Sequence, residues 1–385
     1  MHLPTALRVV LVPALLTVMT CAHAQRLTMQ ATAAEQQMDC PGEWAQLPAG
    51  PEGVKRATRS CPFYIEGDKV NASAHFCSHP RQEMVSSLRR FVFSRTAHSS
   101  CSAFEPQRFL RTFSNSRLVF IGDSVLSQVW LLLVCDVYES LPAAQRDNDS
   151  FVTFNPRAGM VATRLGHGGY TLGRDIVTFL EHNVTVIGTR WDFFYKKQSA
   201  AAILRDLSES DILVVNFGLH YNEYAGKNPR DADRDDFRNA LVALSADLAA
   251  LGRPKWGIWF AETTPQHFAG DNANGYYNLH GGKSCVPYAN ATAAHLLDWR
   301  NTVLHDRATS LLPDNVRLVA LPALSSQWDA HLEMDTRTGD GLAAQHPHHG
   351  YLHFADCTHW CNPSAALRYV LSALLSQISR DLTLT

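Results

Sequence analysis

Four short apolar runs, each followed by a segment with helical spacing, limit what this chain can become. Arg117-Leu-Val-Phe-Ile-Gly122 is the first. Asp211-Ile-Leu-Val-Val-Asn-Phe-Gly218, Lys255-Trp-Gly-Ile-Trp-Phe260 and Val316-Arg-Leu-Val-Ala-Leu321 share its form. Continuous apolar stretches of this length, bounded by turn residues, suit strands buried on both faces. Helical spacing covers Val125–Tyr138, Asp236–Leu251, Ala291–Leu312 and Ser364–Ile378. Gly252 and Pro254 end the second of these, and Pro363 precedes the last. Strands alternating with helices predict an α/β domain with a mostly parallel sheet. Ligand sites in such sheets form beyond the carboxyl ends of the strands. The residues to read for chemistry are therefore those where strands stop.

The chain has 385 residues, 46% hydrophobic and 18% charged, enough for one large domain or a domain with an appended lobe. Its 34 basic and 36 acidic residues leave a formal charge of −2 with no long Lys/Arg run. A nucleic-acid partner is therefore not expected. Residues 1–24 read as a secretory signal. His2 and Arg8 flank an apolar stretch from Val9 to Met19, and Ala22-His23-Ala24 is a small-x-small cleavage site. An uncleaved anchor is the alternative, and membrane contact is expected only in that case. Sequons at Asn71, Asn148, Asn183 and Asn290 add expected glycosylation sites. Eight cysteines follow the signal: Cys40, Cys61, Cys77, Cys101, Cys135, Cys285, Cys357 and Cys361. An even number in an oxidising compartment reads as a disulfide framework whose connectivity spacing alone leaves open. Half of them fall in residues 25–112, which lack a long periodic apolar segment. This part reads as a small lobe held by disulfides rather than by a core of its own. Residues 113–385 form the α/β domain.

Three motifs sit where chemistry is expected. Gly122-Asp123-Ser124 ends the first strand and opens a helix, where N-terminal amides can hold an oxyanion. Ser124 reads as a nucleophile or as a helix N-cap, and both readings stand. Asp356-Cys357-Thr358-His359-Trp360-Cys361 places an Asp and a His three apart, on one side of a helical turn. Asp356 could orient His359, and His359 could take a serine proton. The competing readings are a purely structural disulfide pair and a zinc site using Cys and His. Trp360, beside the histidine, could line a sugar subsite. Asn216-Phe-Gly218, at the end of the second strand, offers an amide to an oxyanion or simply a turn. The glycine-rich Gly166-His-Gly-Gly-Tyr170 lacks the strand-to-helix setting that phosphate binding needs.

Taken together these residues resemble the SGNH/GDSL hydrolases, and more closely the PC-esterase group with its trichome-birefringence-like polysaccharide O-acetyltransferases. Cys40, Gly42 and Trp44 resemble the family's opening pattern. Cys61-Pro62, Cys77 and Cys101 resemble its cysteine-rich stretch. Gly122-Asp123-Ser124 with Trp130 and Cys135 resembles its nucleophile segment. Thr264-Pro265, His267-Phe268, Gly281-Gly282 and Cys285 resemble its later segments, and Asp356-Cys-x-His359-Trp360-Cys361 its signature. The chain departs from the family pattern in three places. Ser127 precedes Gln128 where an Arg is usual, Leu219-His220 follow Gly218, and Asn362-Pro363-Ser364 follow Cys361.

The resemblance implies a three-layer SGNH-like domain with a disulfide-stapled N-terminal lobe. It implies a triad of Ser124, His359 and Asp356, with the backbone of Ser124 and the side chain of Asn216 as the oxyanion hole. It also implies the pairings Cys40–Cys101, Cys61–Cys135, Cys77–Cys361 and Cys285–Cys357. The expected activity is transfer of acetyl groups onto polysaccharide hydroxyls, in the Golgi lumen or outside the cell. An acetyl donor is the co-substrate, a glycan the acceptor, and neither cofactor nor metal is expected. A carbohydrate acetylesterase with the same triad and a non-catalytic glycan binder are the alternatives.

Overall fold

The computed structural model describes residues 40–46, 61–63, 89–94, 101–146, 148–163, 170–191, 204, 207–208, 210–221, 233–250, 257–267, 285–288, 298–306, 311–313, 316–331, 357–360 and 364–383. The expected signal, Asn71, Asn290, Cys77, Asp356, Cys361 and the Gly166–Gly169 stretch lie outside these. Among the described residues no helix is long and apolar enough to cross a membrane.

A seven-stranded sheet forms the centre, with spatial order β4-β5-β6-β3-β7-β8-β9. The four runs read from the sequence are β3 (Arg117–Gly122), β7 (Ile212–Asn216), β8 (Ile258–Ala261) and β9 (Val316–Val319). All four run parallel, and β6 (Val184–Arg190) joins them on the other side of β3. β4 (Val152–Thr163) and β5 (Tyr170–Phe179) close that edge as antiparallel strands. Among these three, β4 and β5 carry polar residues between apolar ones, as in Val152-Thr-Phe-Asn155 and Asp175-Ile-Val-Thr178, so no continuous apolar run marked them.

Alternate residues of each central strand face opposite layers. Leu118, Phe120 and Val214 point into one core, with α2 (Ser124–Ser140) and α6 (Ala365–Thr383). Val119, Ile121, Leu213 and Val215 point into the other, with α4 (Arg234–Ala250) and α5 (Trp299–His305). The period of two therefore produces the expected three layers. On the first face Arg368 of α6 pairs with Asp136 of α2, whose carboxyl burial pushes above its ordinary range despite that partner.

One predicted helix is much shorter than expected. In place of Ala291–Leu312, the described helix is Trp299–His305. Asp298 caps it by accepting from Arg300 N–H, and Leu311–Pro313 are not helical. The described parts of residues 25–112 bury their apolar side chains in the main core. The antiparallel pair β1 (Gly42–Gln46) and β2 (Arg89–Phe93) sets Trp44, Phe91 and Phe93 around Tyr369 of α6. Helix α1 (Pro106–Thr112) adds Phe109 and Leu110. Disulfides Cys40–Cys101, Cys61–Cys135 and Cys285–Cys357 are formed, as the resemblance implied. Asn148 and Asn183 are exposed, and the Asn183 amide donates to Asn115 Oδ1 at 3.2 Å.

Candidate active site

The turn from β3 into α2 separates the two readings of Gly122-Asp123-Ser124. Asp123, fully buried, is the N-cap, and its Oδ1 accepts from Val125 N–H at 3.1 Å. Ser124 is the first residue of the helix, so its hydroxyl is not spent on capping. That hydroxyl lies 2.6 Å from His359 Nε2, across 235 residues of chain. The Ser124 amide belongs to the first helical turn, whose N–H groups have no carbonyl within the helix. Glycine is required just before: a Cβ on Gly122 would lie 2.1 Å from the Asn216 carbonyl oxygen. That close approach lets Asp123 N–H donate to the same carbonyl at 3.1 Å and joins the ends of β3 and β7.

His359 stands on a short segment held from several sides. Cys357 is bonded to Cys285. Its sulfur is therefore unavailable to zinc, which removes one ligand from that alternative reading. Among the described residues no group of three or more His, Cys, Asp or Glu could hold a metal. His267 N–H donates to the Cys357 carbonyl at 3.1 Å, and Gln266 Nε2 donates to Thr358 Oγ1 at 2.9 Å. Trp360 forms an antiparallel bridge with His331, and its backbone meets the Gln128 amide of α2 on both sides. Trp360 is fully buried and stacked on the His331 ring at 3.9 Å. It therefore cannot line a sugar subsite, which corrects that expectation.

Asn216 also has a different task from the one expected. Its Nδ2 donates to the Ala261 and Glu262 carbonyls, each at 3.0 Å, and its side chain is buried. Both amide protons are committed to the end of β8, so none is left for an oxyanion in this arrangement. Gly218 follows with φ +155, where a Cβ would meet Thr263 Oγ1 at 2.2 Å.

Several supporting residues carried little signal in the sequence. Arg300, 1% exposed, pairs with Asp298 and donates to the Gly218 carbonyl at 3.2 Å and to Gln266 Oε1 at 3.1 Å. It thereby links the loop after β7 to the residue that holds Thr358. An Asp and an Arg two apart inside Leu296-Leu-Asp-Trp-Arg300 was the only hint. His331 had none. It is buried between His267 and Trp360.

The chain has relatives among known proteins. Residues 102–365 match the PC-Esterase family, described as a GDSL/SGNH-like acyl-esterase family found in Pmr5 and Cas1p. The chain is 25% identical over 287 residues to Xylan O-acetyltransferase 13 of Oryza sativa subsp. japonica, covering 68% of this chain and 55% of that protein. Xylan O-acetyltransferase 12 of the same plant matches with the same identity and coverage. Xylan O-acetyltransferase 6 is 22% identical over 298 residues, covering 68% of this chain and 50% of that protein. The chain thus spans about half the length of these curated relatives.

Proposed function

Because this chain belongs to the PC-Esterase family of GDSL/SGNH-like acyl-esterases, we propose that it transfers acetyl groups onto polysaccharide hydroxyls through an acyl-enzyme on Ser124. The observation that carries the reading is the 2.6 Å contact between Ser124 Oγ and His359 Nε2 at the carboxyl end of a parallel sheet. His359 takes the Ser124 proton as the hydroxyl oxygen attacks the acetyl carbonyl, then returns it to the leaving group of the donor. Asp356 orients the imidazole from its other nitrogen. The Ser124 N–H, at the start of α2, faces the developing oxyanion. His359 next deprotonates a sugar hydroxyl, which takes the acetyl group and frees the serine. The names of the rice relatives favour a xylan-like acceptor.

The family's description as acyl-esterases supports a second reading, in which water takes the place of the sugar hydroxyl. The three described disulfides favour a compartment of the secretory pathway, Golgi lumen or exterior, and exposed Asn148 and Asn183 are its glycan acceptors.

Mass spectrometry separates these readings. Wild type and Ser124→Ala are incubated with an activated acetyl donor and xylan or other glycan oligomers, then with acetylated oligomers alone. Serine-dependent gain of acetyl mass on an oligomer marks a transferase. Serine-dependent loss with no gain marks an esterase. No change in either assay removes Ser124 from the mechanism.

A further inference from the structure

Behind His359 lie two more histidines that the proposed chemistry does not use. His267 is 1% exposed and His331 is fully buried. Their rings form a chain. His267 Nε2 is 3.0 Å from the Ser325 carbonyl, His267 Nδ1 is 2.7 Å from His331 Nε2, and His331 Nδ1 is 3.0 Å from the His359 carbonyl.

Counting protons along this chain fixes its charge. A carbonyl oxygen can only accept, so the nitrogen at each end must carry a hydrogen. The nitrogens in the middle, at 2.7 Å, need one hydrogen between them, since two lone pairs would repel. That is three protons on two rings, and two neutral imidazoles hold only two. We propose that His267 and His331 share one extra proton at neutral pH, and that the charged pair positions the His359 turn through its carbonyl. His331 is then a positioning residue. This inference rests on the Ser124–His359 reading for its effect on reactivity, but the proton count stands without it.

Of the two rings, His331 has the stacking partner that favours the charge. Burial pushes His267 down to about 4, which keeps that ring neutral with its hydrogen on Nε2. The His331 ring lies nearly parallel to the indole of Trp360, with centroids 3.9 Å apart, where the π face favours a cation. Among the described residues, groups facing the pair include Asp329, whose charge favours a proton on His267, the Tyr288 ring at 4.7 Å from His267, the Ser325 carbonyl, and His359 itself. A positive charge behind His359 opposes a second proton on that imidazole and keeps it available as a base.

The test has two arms. Long-range proton–nitrogen NMR of the full-length protein with labelled histidine, at pH 7, counts ring N–H groups, with assignments from His267→Phe and His331→Phe. One imidazolium and one neutral Nε2–H ring are expected; two neutral rings would overturn the proposal. The second arm follows labelling of Ser124 by a fluorophosphonate between pH 5 and 9. Phenylalanine at position 331 retains a ring against Trp360 but carries no proton. His331→Phe should move the midpoint upward by about one pH unit, the size of a like-charge effect in a partly buried site, and so slow labelling by up to about tenfold below the wild-type midpoint. A uniformly slower rate with an unmoved midpoint would reduce the pair to packing and sink the positioning role. Absence of labelling in wild type at every pH would instead remove the Ser124 reading, and the NMR count then decides the shared proton alone.

Discussion

The Gln128 side chain meets both backbone groups of Trp360: its Nε2 donates to the carbonyl, and its Oε1 accepts from the N–H at 3.3 Å. Gln128 stands one turn beyond Ser124 on α2, and Trp360 follows His359. The element that carries the serine is therefore tied to the segment that carries the histidine, right beside their 2.6 Å contact. Both partners are buried, so water does not compete for these bonds.

Gln128→Leu should remove both bonds at similar volume. We expect a stability loss of about 2 kcal/mol, from two net hydrogen bonds. Ser124 labelling by a fluorophosphonate should fall at least tenfold as His359 loses its register. Urea unfolding and labelling kinetics on the same preparation check this. Full labelling in a destabilised variant would show that the tie serves folding alone.

Asn216→Ala tests which task that side chain performs. Its two bonds to the Ala261 and Glu262 carbonyls predict a stability loss of about 2 kcal/mol. Acetylation of Ser124 should change less than tenfold. Removing an oxyanion donor typically costs about a hundredfold or more in rate. A loss of that size at unchanged stability would return Asn216 to the oxyanion hole.

Replacing Cys285 and Cys357 together with Ser opens a loop of 72 residues. The chain-entropy estimate for that length is about 4 kcal/mol of lost stability. Because Cys357 sits two residues before His359, Ser124 labelling should fall as well. Thermal unfolding and labelling rates of the double variant measure the two effects separately.

His267 sets a window of acid sensitivity. Burial lowers it from 6.5 to about 4 in the folded chain. Between those values the unfolded chain binds a proton that the folded chain refuses, so stability rises with pH there. The contribution is complete above pH 6.5 and is lost as pH falls toward 4, by at most about 3 kcal/mol. Melting temperatures from pH 7 to pH 4 should decline in wild type and decline less steeply in His267→Gln.

Much of the architecture was readable because it follows local pattern. The four parallel strands were continuous apolar runs, and the helices on α2, α4 and α6 kept their spacing. The antiparallel strands β4 and β5, and the parallel β6 beside them, were not legible, since they mix polar and apolar residues as loops do. The helix expected over Ala291–Leu312 kept only Trp299–His305 among the described residues, because apolar spacing does not reveal where a cap such as Asp298 begins a helix.

At the candidate site the division is sharper. The sequence by itself determined that a serine would stand at the first turn after a buried strand, with Asp123 beside it and a histidine late in the chain. Strand periodicity, helix capping and motif spacing are all local, and all are written in neighbouring residues. Only the tertiary structure decided that Ser124 meets His359, that Trp360 is buried against His331, that Asn216 spends its amide on the end of β8, and that the rings of His267 and His331 meet. Each of these joins groups at least 28 residues apart in the chain. Such pairings are chosen by packing of the whole fold, and no local pattern encodes them.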